Sequence, residues 1–317
     1  MAAPQECQCG FCTNSQLAAK RSDCIVRLRK VGSAVVAFSA GADSTLLLAL
    51  AAEAMGPTNV LAAMGVSPSL PQRERLEGRA LAARLGVELA EITTDELADA
   101  RYAANPANRC YYCKHELFSR LARLAQARGL RAVLSGANAD DTGDFRPGLE
   151  AGRELGVRNP LMEAGLSKAE VRELSRAMGL PTWDKPAMAC LASRVPYDSP
   201  ITADRLGRIE RAENWLRDAG LRQVRVRDHG PVARIEVPLD DQPLLLAIRP
   251  QLLDHFRVLG YVYVTMDLAG FRSGSSNEVL GPPGPLPPAV AQPFQAVQGE
   301  PEAQAGKPVP PPQRYWP

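Results

Sequence analysis

A run of small and hydroxyl-bearing residues follows a short apolar segment near the start of the chain. The run reads Ser39-Ala40-Gly41-Ala42-Asp43-Ser44-Thr45. Where a strand turns into a helix, small side chains let backbone N–H groups approach a phosphate, and the helix N-terminus adds favourable partial charge. The hydroxyls of Ser39, Ser44 and Thr45 can donate hydrogen bonds to the same anion. The sequence therefore predicts a phosphate-binding loop, with Gly41 and Asp43 as further contacts to a nucleotide.

The loop lacks the lysine of a Walker A motif, which argues against transfer of a γ-phosphate. It resembles the SGGxDS signature of PP-loop ATP pyrophosphatases, which cleave ATP between the α and β phosphates. Ala40 stands at the first glycine position of that signature, and we expect an alanine there to keep its φ angle below zero. An ordinary turn of small residues, with Asp43 near the helix start, is the structural alternative.

Three of the seven cysteines lie in stretches whose composition suits metal or sulfur chemistry. Cys110 and Cys113 form a CxxC pair within NPANRCYYCK, and Cys190 lies within KPAMACLASRVPY. A CxxC pair alone is compatible with zinc, a redox pair, an iron–sulfur cluster or two small buried side chains at a helix start. A reactive thiol needs thiolate character, which nearby cations supply, and Lys185 and Arg194 are close to Cys190 in the sequence.

The chain resembles the LarE family of ATP-dependent sulfur transferases from about residue 15 to 280. The resemblance depends on the two cysteine stretches, the phosphate loop and the later stretch DLAGFRSGSSNE. Members activate a carboxylate of pyridinium-3,5-biscarboxylic acid mononucleotide with ATP and replace oxygen by sulfur. The reaction belongs to biosynthesis of the nickel-pincer nucleotide, used in lactate racemase maturation. The resemblance implies ATP and a small mononucleotide as substrates, and assembly into a homo-oligomer.

The resemblance also implies roles for individual residues. Cys190 matches the family's sulfur-donating cysteine, which in one branch surrenders its own sulfur in a single turnover. Together with Cys110 and Cys113 it resembles a second branch, in which three thiolates hold a [4Fe-4S] cluster that carries sulfide from an external source. We expect the second branch and keep transfer from Cys190 as the alternative. Lys114 and Glu213 match a lysine and a carboxylate of the family's active site.

Arginines near the end of the chain suit the phosphate of a mononucleotide. Arg225 and Arg227 alternate along a predicted strand, so both side chains point to the same face. Two guanidiniums can bind a phosphate through forked hydrogen bonds. The resemblance supports this role, and we expect Arg194 to join them. Edge residues of a short strand without a ligand are the structural alternative.

An acidic cluster follows the fourth predicted strand and contains Asn138, Asp140, Asp141 and Asp144. Carboxylates at the carboxyl end of a parallel sheet suit Mg²⁺ on a pyrophosphate leaving group. We therefore expect Asp140 and Asp141 as candidate magnesium ligands, with a solvated acidic loop as the alternative.

Short apolar runs alternate with helical patterns over the region that holds these motifs. Strands are predicted at 33–39, 59–67, 87–94 and 132–137, and helices at 71–85 and 112–128. Ser167 with Glu170 forms a capping box at the start of a further helix. Cys24 falls on the apolar face of the first helix. The alternation predicts a doubly wound parallel α/β sheet whose ligands lie beyond the carboxyl ends of the strands.

The pattern changes after about residue 195. A helix at 202–219, strands at 223–230 and 232–237, a helix at 241–259 and a strand at 261–266 predict a small α+β unit. We expect a nucleotide domain over 15–195 and a substrate domain over 196–280. The Cys-bearing segment 1–14, with Cys7, Cys9 and Cys12, is predicted to be flexible, and the Pro-rich tail 281–317 to be disordered.

The composition of the chain argues against several classes of function. The chain has 317 residues, 45% of them apolar, with 37 basic against 35 acidic residues. A net charge of +2 gives no electrostatic steering towards nucleic acid or an anionic membrane. No apolar stretch reaches the ~18 residues of a membrane span, and the first residues do not read as a signal peptide. We expect a cytoplasmic protein with reduced thiols.

Three rival functions remain open at this level. A tRNA-thiolating PP-loop enzyme shares the loop and the cysteines but needs a basic face, against which the balanced charge argues. An amidotransferase-type synthetase that uses ammonia has no need of the three cysteines. A non-enzymatic iron–sulfur or thiol sensor with a vestigial nucleotide site is suggested by Ala40.

Overall fold

A four-stranded parallel sheet carries the predicted phosphate loop. Its strands are β1 (Ala34–Ala37), β2 (Val60–Val66), β3 (Glu88–Thr93) and β4 (Ala132–Leu134). They lie in the order β3-β2-β1-β4 and every neighbouring pair is parallel. The predicted α/β fold with a parallel sheet is therefore confirmed, and each strand lies within the predicted run.

The computed structural model describes residues 15–143, 147–186, 189–272 and 274–280, and these belong to one compact unit. The predicted flexible segment 1–14 and the predicted disordered tail 281–317 lie outside the described residues, as do Cys7, Cys9 and Cys12. Within the described part, no helix is long and apolar enough to cross a membrane.

Eight helices accompany the parallel sheet in the described residues. They are α1 (Ser15–Val31), α2 (Ala42–Met55), α3 (Gln72–Arg84), α4 (Ala100–Ala103), α5 (Arg109–Ala127), α6 (Pro147–Glu154), α7 (Pro160–Glu163) and α8 (Lys168–Ala177). The capping box at the start of α8 is confirmed, with both of its hydrogen bonds formed. Helix α5 begins at Arg109, three residues earlier than the predicted start at 112, so the CxxC pair lies in its first turns. Helix α2 includes Asp43, Ser44 and Thr45 of the phosphate loop.

Both faces of the sheet are covered by helices. Successive side chains of a strand point to opposite faces, so each strand contributes to two apolar clusters. Val36 and Met64 pack into an apolar cluster with α1, α2, α3 and α8. Val35 and Leu61 pack on the other face against α5, where Phe118 is almost fully buried. Cys24 lies in the first cluster with no exposed surface, and burial raises the pKa of its thiol to about 12. The prediction that Cys24 belongs to the core is confirmed.

The order of the strands fixes where a ligand can lie. From β1 the chain proceeds to β2 and β3 on one side, and then returns to β4 on the other side of β1. The loops that follow β1 and β4 therefore diverge at the carboxyl edge of the sheet. In open α/β sheets such a switch point opens the crevice that binds ligands.

A second, three-stranded sheet follows along the chain. The elements are α9 (Ala203–Asp218), β5 (Arg225–His229), β6 (Val232–Glu236), α10 (Gln242–Ala247), α11 (Arg249–Val258) and β7 (Tyr263–Met266). Strand β6 is antiparallel to β5 and parallel to β7, and this sheet has an apolar cluster of its own. The single helix predicted over 241–259 is wrong. The helix breaks at Ile248, because Pro250 has no N–H to continue the ladder and its ring crowds the preceding turn.

Candidate functional site

The phosphate loop closes on itself through the hydroxyl of Ser44. This oxygen accepts a hydrogen bond from the backbone N–H of Ser39 at 3.3 Å and donates one to the carbonyl of Gly41 at 3.2 Å. The two serine hydroxyls are 3.2 Å apart. Ser39 is exposed, whereas Ser44 is buried, and the buried hydroxyl of Thr45 has no hydrogen-bond partner among the described residues. Ser44 thus shapes the turn, and Ser39 lies at its open side.

Ala40 adopts the left-handed conformation that a glycine would take, with φ at +56°. The expectation that alanine keeps φ below zero is therefore wrong. A non-glycine residue in this region costs about 1–3 kcal/mol unless its surroundings hold it. Ala40 is fully buried, and its carbonyl accepts a hydrogen bond from Nζ of Lys185 at 3.2 Å. Lys185 is also paired with Glu74 and Glu77 of α3, which fixes this contact.

Asp43, in the first turn of α2, is the centre of a polar group at the switch point. Its Oδ1 accepts a hydrogen bond from Nδ2 of Asn138 at 2.9 Å, and its Oδ2 pairs with Nζ of Lys168 at 2.5 Å. The side chains of Lys168 and Asp43 remain 34% and 25% exposed, so a ligand can reach this pair. Lys168 was not among the predicted site residues; its place directly after the capping Ser167 was the available signal.

Gly136 brings the loop after β4 against the start of α2. A Cβ atom at this position would lie 3.0 Å from the backbone nitrogen of Ser44 and 3.1 Å from the carbonyl carbon of Asp43. Neither backbone atom can move without disturbing the phosphate loop, so only glycine fits. This contact holds the two diverging loops together at their base.

Asp140 and Asp141, the predicted magnesium ligands, are used for local hydrogen bonds. Asp140 Oδ2 accepts from the backbone N–H of Lys168 at 2.9 Å, and Asp141 Oδ2 accepts from the backbone N–H of Asn138 at 3.0 Å. Asp140 is exposed and Asp141 is buried. Asp144, the last acidic residue of the predicted cluster, lies outside the described residues. The two aspartates lie in the same loop as Asn138, next to the Asp43–Lys168 pair.

The three cysteines singled out by the sequence come from two elements that meet. Cys110 and Cys113 lie in the first turns of α5, and Cys190 precedes a 3-10 turn, Leu191–Arg194. Cys110 and Cys190 are exposed and Cys113 is partly exposed. Burial, with contributions from the nearby Cys190 and Cys110 sulfurs, raises the pKa of Cys113 to about 12, while Lys114 opposes the rise. Across the described residues, no three His, Cys, Asp or Glu side chains are arranged as a metal site.

Lys114 lies beside the cysteines on the exposed side of α5. Its ammonium is 5.6 Å from the centroid of the Phe118 ring. Gly148 of α6 packs on its stem, since a Cβ there would lie 2.8 Å from Cγ of Lys114. The lysine is thus close to Cys113 and Cys110 with its charge at the surface.

The backbone around Cys190 is held from two sides. The N–H of Leu191 donates to the carbonyl of Ser69 at 2.9 Å, and the hydroxyl of Ser69 lies 2.9 Å from that of the buried Tyr102. On the other side, Nη1 of Arg194 donates to the carbonyl of Cys190 at 3.0 Å. The thiol is therefore exposed on a fixed piece of backbone.

Arg194 and Glu213 form a fully buried ion pair beneath this segment. Two hydrogen bonds of 2.8 and 3.0 Å join the guanidinium to the carboxylate. Glu213 also accepts from Arg217 at 2.8 Å and from the backbone N–H of Val226 at 3.1 Å. Burial raises the pKa of Glu213, but Arg194 and its neighbours outweigh this and lower it to about 2. The pair ties the Cys190 segment to α9 and β5.

Arg227 and Arg225 lie side by side on β5, and both are buried. Arg227 makes a two-pronged pair with the buried Glu236 at 2.9 and 2.8 Å, and it donates to the carbonyl of Ser193 at 2.8 Å. The hydroxyls of Ser275 and Ser276 complete its partners.

Arg225 has a different environment from Arg227. Its guanidinium lies 5.2 Å from the centroid of the Phe271 ring. Burial first, and then the nearby Arg194, lower its pKa to about 10 against the opposing effect of Glu213. Arg227 and Arg217 act in the same direction as Arg194, so several positive charges lie close to Arg225. We call Arg194, Arg225 and Arg227, with Glu213 and Glu236, the arginine cluster.

Two bridges join the predicted parts of the site. Lys185, five positions before Cys190, reaches the phosphate loop at Ala40. Ser193 lies between Arg194 and Arg227 and so links the cysteines to the arginine cluster. The sequence alone gave no indication of Glu236. It gave no role to Ser275 and Ser276 either, although both serines lie within the DLAGFRSGSSNE stretch.

No protein-family profile matches the chain. The chain is 38% identical over 264 residues to the pyridinium-3,5-bisthiocarboxylic acid mononucleotide synthase of Lactiplantibacillus plantarum, covering 83% of the chain and 96% of that protein. It is 45% identical over 252 residues to an uncharacterized protein of Synechocystis sp., covering 78% and 92%. A protein of Methanocaldococcus jannaschii is 27% identical over 239 residues, covering 75% and 90%.

Proposed function

The chain belongs to the LarE family of pyridinium-3,5-bisthiocarboxylic acid mononucleotide synthases, and we propose that it inserts sulfur into pyridinium-3,5-biscarboxylic acid mononucleotide at the expense of ATP. The observation that carries the proposal is the 38% sequence identity to such a synthase, in an alignment that covers 96% of that protein. It makes the chain an enzyme of this family. The exposed cysteines and the phosphate loop described above supply groups suited to both halves of such a reaction.

The first half is adenylation of a substrate carboxylate. A carboxylate oxygen attacks the α-phosphorus of ATP, the bond to the bridging oxygen breaks, and pyrophosphate leaves with the electron pair. The N-terminus of α2 and the ammonium of Lys168 face the developing charge, in the place of a Walker lysine. Asp43 then either keeps Lys168 oriented or takes part in binding Mg²⁺ with Asp140 and Asp141, whose oxygens lie in the adjoining loop.

The second half replaces the adenylate by sulfur. A sulfur nucleophile attacks the acyl carbon, the bond from carbon to the AMP oxygen breaks, and AMP leaves with that electron pair. Cys190, which is exposed on a fixed backbone, lies where this step is proposed to take place. Doing both halves in one cleft protects the acyl adenylate from water.

The sulfur comes, in this proposal, from sulfide held on a [4Fe-4S] cluster. Three cysteine thiols on two neighbouring elements are the donor type that such clusters require. Cys110, Cys113 and Cys190 would hold it, and its unligated iron would supply an exogenous sulfide. Cys113 packs in the apolar cluster that contains Leu191 and Ala192, the two residues after Cys190, and this supports the assignment.

The remaining predicted residues divide into binding and positioning roles. Arg225, in the crowded positive region, is proposed to bind the substrate phosphate together with Arg227. Arg194 and Glu213 are fully buried and fully engaged with each other, so we propose that they position the Cys190 segment. Lys114, exposed beside the CxxC pair, remains a candidate contact for the substrate. The predicted division into a nucleotide domain over 15–195 and a substrate domain over 196–280 is proposed to place this cleft between the two sheets.

Iron content and intact mass test the sulfur source. Protein reconstituted without oxygen is expected to bind about four irons per chain, and Cys110→Ala and Cys113→Ala should each lose the cluster and multiple turnover. The mass of the wild-type chain should be unchanged after reaction. Iron-free protein that stays active and loses the elements of H₂S from Cys190 would show instead that the cysteine gives up its own sulfur.

A further inference from the structure

Arg109 is a buried cation that lacks the partners that the other buried arginines have. It is the first residue of α5, and only 5% of its surface is exposed. Its Nε is buried without a hydrogen-bond partner, and no carboxylate among the described residues forms an ion pair with it. Arg194 and Arg227 are each joined to a carboxylate by two hydrogen bonds. A buried charge without a partner is unfavourable, so its anion is expected to arrive from outside the protein.

The surroundings of Arg109 place that anion beside the three cysteines. Arg109 directly precedes Cys110 in α5, and Cys113 of the same helix packs in an apolar cluster with Leu191 and Val195, which follow Cys190. One face of the guanidinium lies 4.7 Å from the centroid of the Tyr197 ring. Tyr102, also nearby, is buried and hydrogen-bonded to Ser69, and burial raises its pKa, so it stays neutral. The charge of Arg109 therefore lies between the first turn of α5, which carries Cys110, and the segment that follows Cys190.

We propose that Arg109 binds the second carboxylate of the substrate, the one that is not reacting, and thereby selects a ring that carries two carboxylates. This inference rests on the proposed function. A guanidinium presents parallel N–H donors that match the two oxygens of a carboxylate. When one carboxyl carbon of the ring lies at Cys190, the other lies one ring width away. After the first sulfur has been inserted, the resulting thiocarboxylate is still an anion. Arg109 can therefore bind it while the second carboxylate reacts.

Binding of two mononucleotides without ATP tests the proposal. The probes are pyridinium-3,5-biscarboxylic acid mononucleotide and nicotinamide mononucleotide, which has the same ring and phosphate but a neutral carboxamide and no carboxylate. Arg109→Gln is expected to weaken binding of the biscarboxylate by about 10- to 100-fold, the effect of losing a charged hydrogen bond. Binding of nicotinamide mononucleotide should not change.

Arg101→Gln is the matched control. Arg101 lies on the neighbouring α4, and its guanidinium is 4.7 Å from the centroid of the Tyr112 ring, but it is exposed and paired with Asp99. Its substitution should leave binding of both probes unchanged. Arg109→Lys keeps the positive charge but loses the parallel N–H donors of the guanidinium. It should weaken biscarboxylate binding less than Arg109→Gln. Because Arg109 has no ion-pair partner among the described residues, Arg109→Gln should unfold at a temperature no lower than the wild type.

The other outcomes each contradict a different statement. Equal weakening for both probes would place Arg109 on the phosphate and overturn the inference. No weakening for either probe, with wild-type binding intact, would leave Arg109 as a partner of the sulfur alone and also overturn it. A marked loss of thermal stability in Arg109→Gln would show a structural role. If the wild type binds neither probe, the proposed substrate is wrong and the inference falls with it.

Discussion

The phosphate loop and the arginine cluster are both rich in groups that bind anions, but they differ in what those groups are doing. In the loop, the Asp43–Lys168 pair is a quarter to a third exposed and consists of one contact. In the cluster, the Arg194–Glu213 pair is fully buried, and Arg227 is engaged by Glu236 and by the Ser193 carbonyl. The side chains at the loop are therefore accessible to a ligand, whereas Arg194 and Arg227 of the cluster are already paired with buried carboxylates.

This difference teaches how the same side chains serve two purposes. A partly exposed pair contributes little to stability, and its members can exchange partners when a charged ligand arrives. A buried pair cannot lose one member without leaving an unpaired charge in the interior. Substitutions in the loop should therefore affect chemistry, and substitutions in the cluster should affect folding first. Arg225, which lies in the cluster but has a lowered pKa, is expected to be the exception.

Asp43→Ala should have the largest effect on activity. The substitution removes the group that orients Lys168 and Asn138, so we expect substrate-dependent release of pyrophosphate to be abolished. Because the pair is partly exposed, the free energy of unfolding should change by less than about 1 kcal/mol. Pyrophosphate release and urea denaturation check the two statements. Asp23→Ala, which breaks an exposed pair with Arg27 on α1, is the control and should change neither.

Arg194→Ala should give the largest loss of stability. It removes a fully buried partner of Glu213 and leaves the pair with Arg217, and breaking a buried pair costs about 3–5 kcal/mol. Urea denaturation followed by circular dichroism measures the loss. Arg217→Ala removes the partly exposed partner of the same carboxylate and should cost clearly less. Wild-type stability in Arg194→Ala would mean that Glu213 finds another partner, and the distinction between loop and cluster would fail.

Arg225→Ala should have the smallest effect of the three, and a specific one. Loss of a charged hydrogen bond to the phosphate is worth ~1.5–3 kcal/mol, which raises the KM for the mononucleotide by about 10- to 150-fold and leaves the KM for ATP unchanged. Arg227→Ala is the comparison and should also lose stability, because Glu236 is buried. Equal changes in both KM values for Arg225→Ala would show that the residue is structural.

Local signals in the sequence were sufficient for much of the fold. The four apolar runs became the parallel strands, and Ser167 with Glu170 formed the predicted cap, because each depends on residues close together in the chain. The break at Ile248 was also local, since Pro250 signals it, but the apolar pattern of the surrounding helices hid it. The left-handed Ala40 was not predictable locally, since Lys185, far along the chain, helps to hold its carbonyl.

The site shows the same limit more strongly. The predicted phosphate loop is contiguous in the chain, so local sequence was enough to propose its residues. The pairing of Asp43 with Lys168 joins the starts of two helices that are far apart in the sequence, so no local pattern indicates that the two side chains meet. Arg194, Arg227 and Arg109 look alike in the sequence. Their tertiary partners separate them: Arg194 and Arg227 are paired with carboxylates, whereas in the part of the chain that the structure describes Arg109 has no carboxylate partner.

The central claim is that ATP cleavage and sulfur insertion are coupled on one mononucleotide. The most direct measurement incubates the reconstituted protein anaerobically with ATP, sulfide and pyridinium-3,5-biscarboxylic acid mononucleotide, and compares pyrophosphate released with the mass of the product. The account predicts one pyrophosphate for each oxygen replaced by sulfur, and no product without ATP. Pyrophosphate release without a thiocarboxylate, or a thiocarboxylate formed without pyrophosphate, would contradict it.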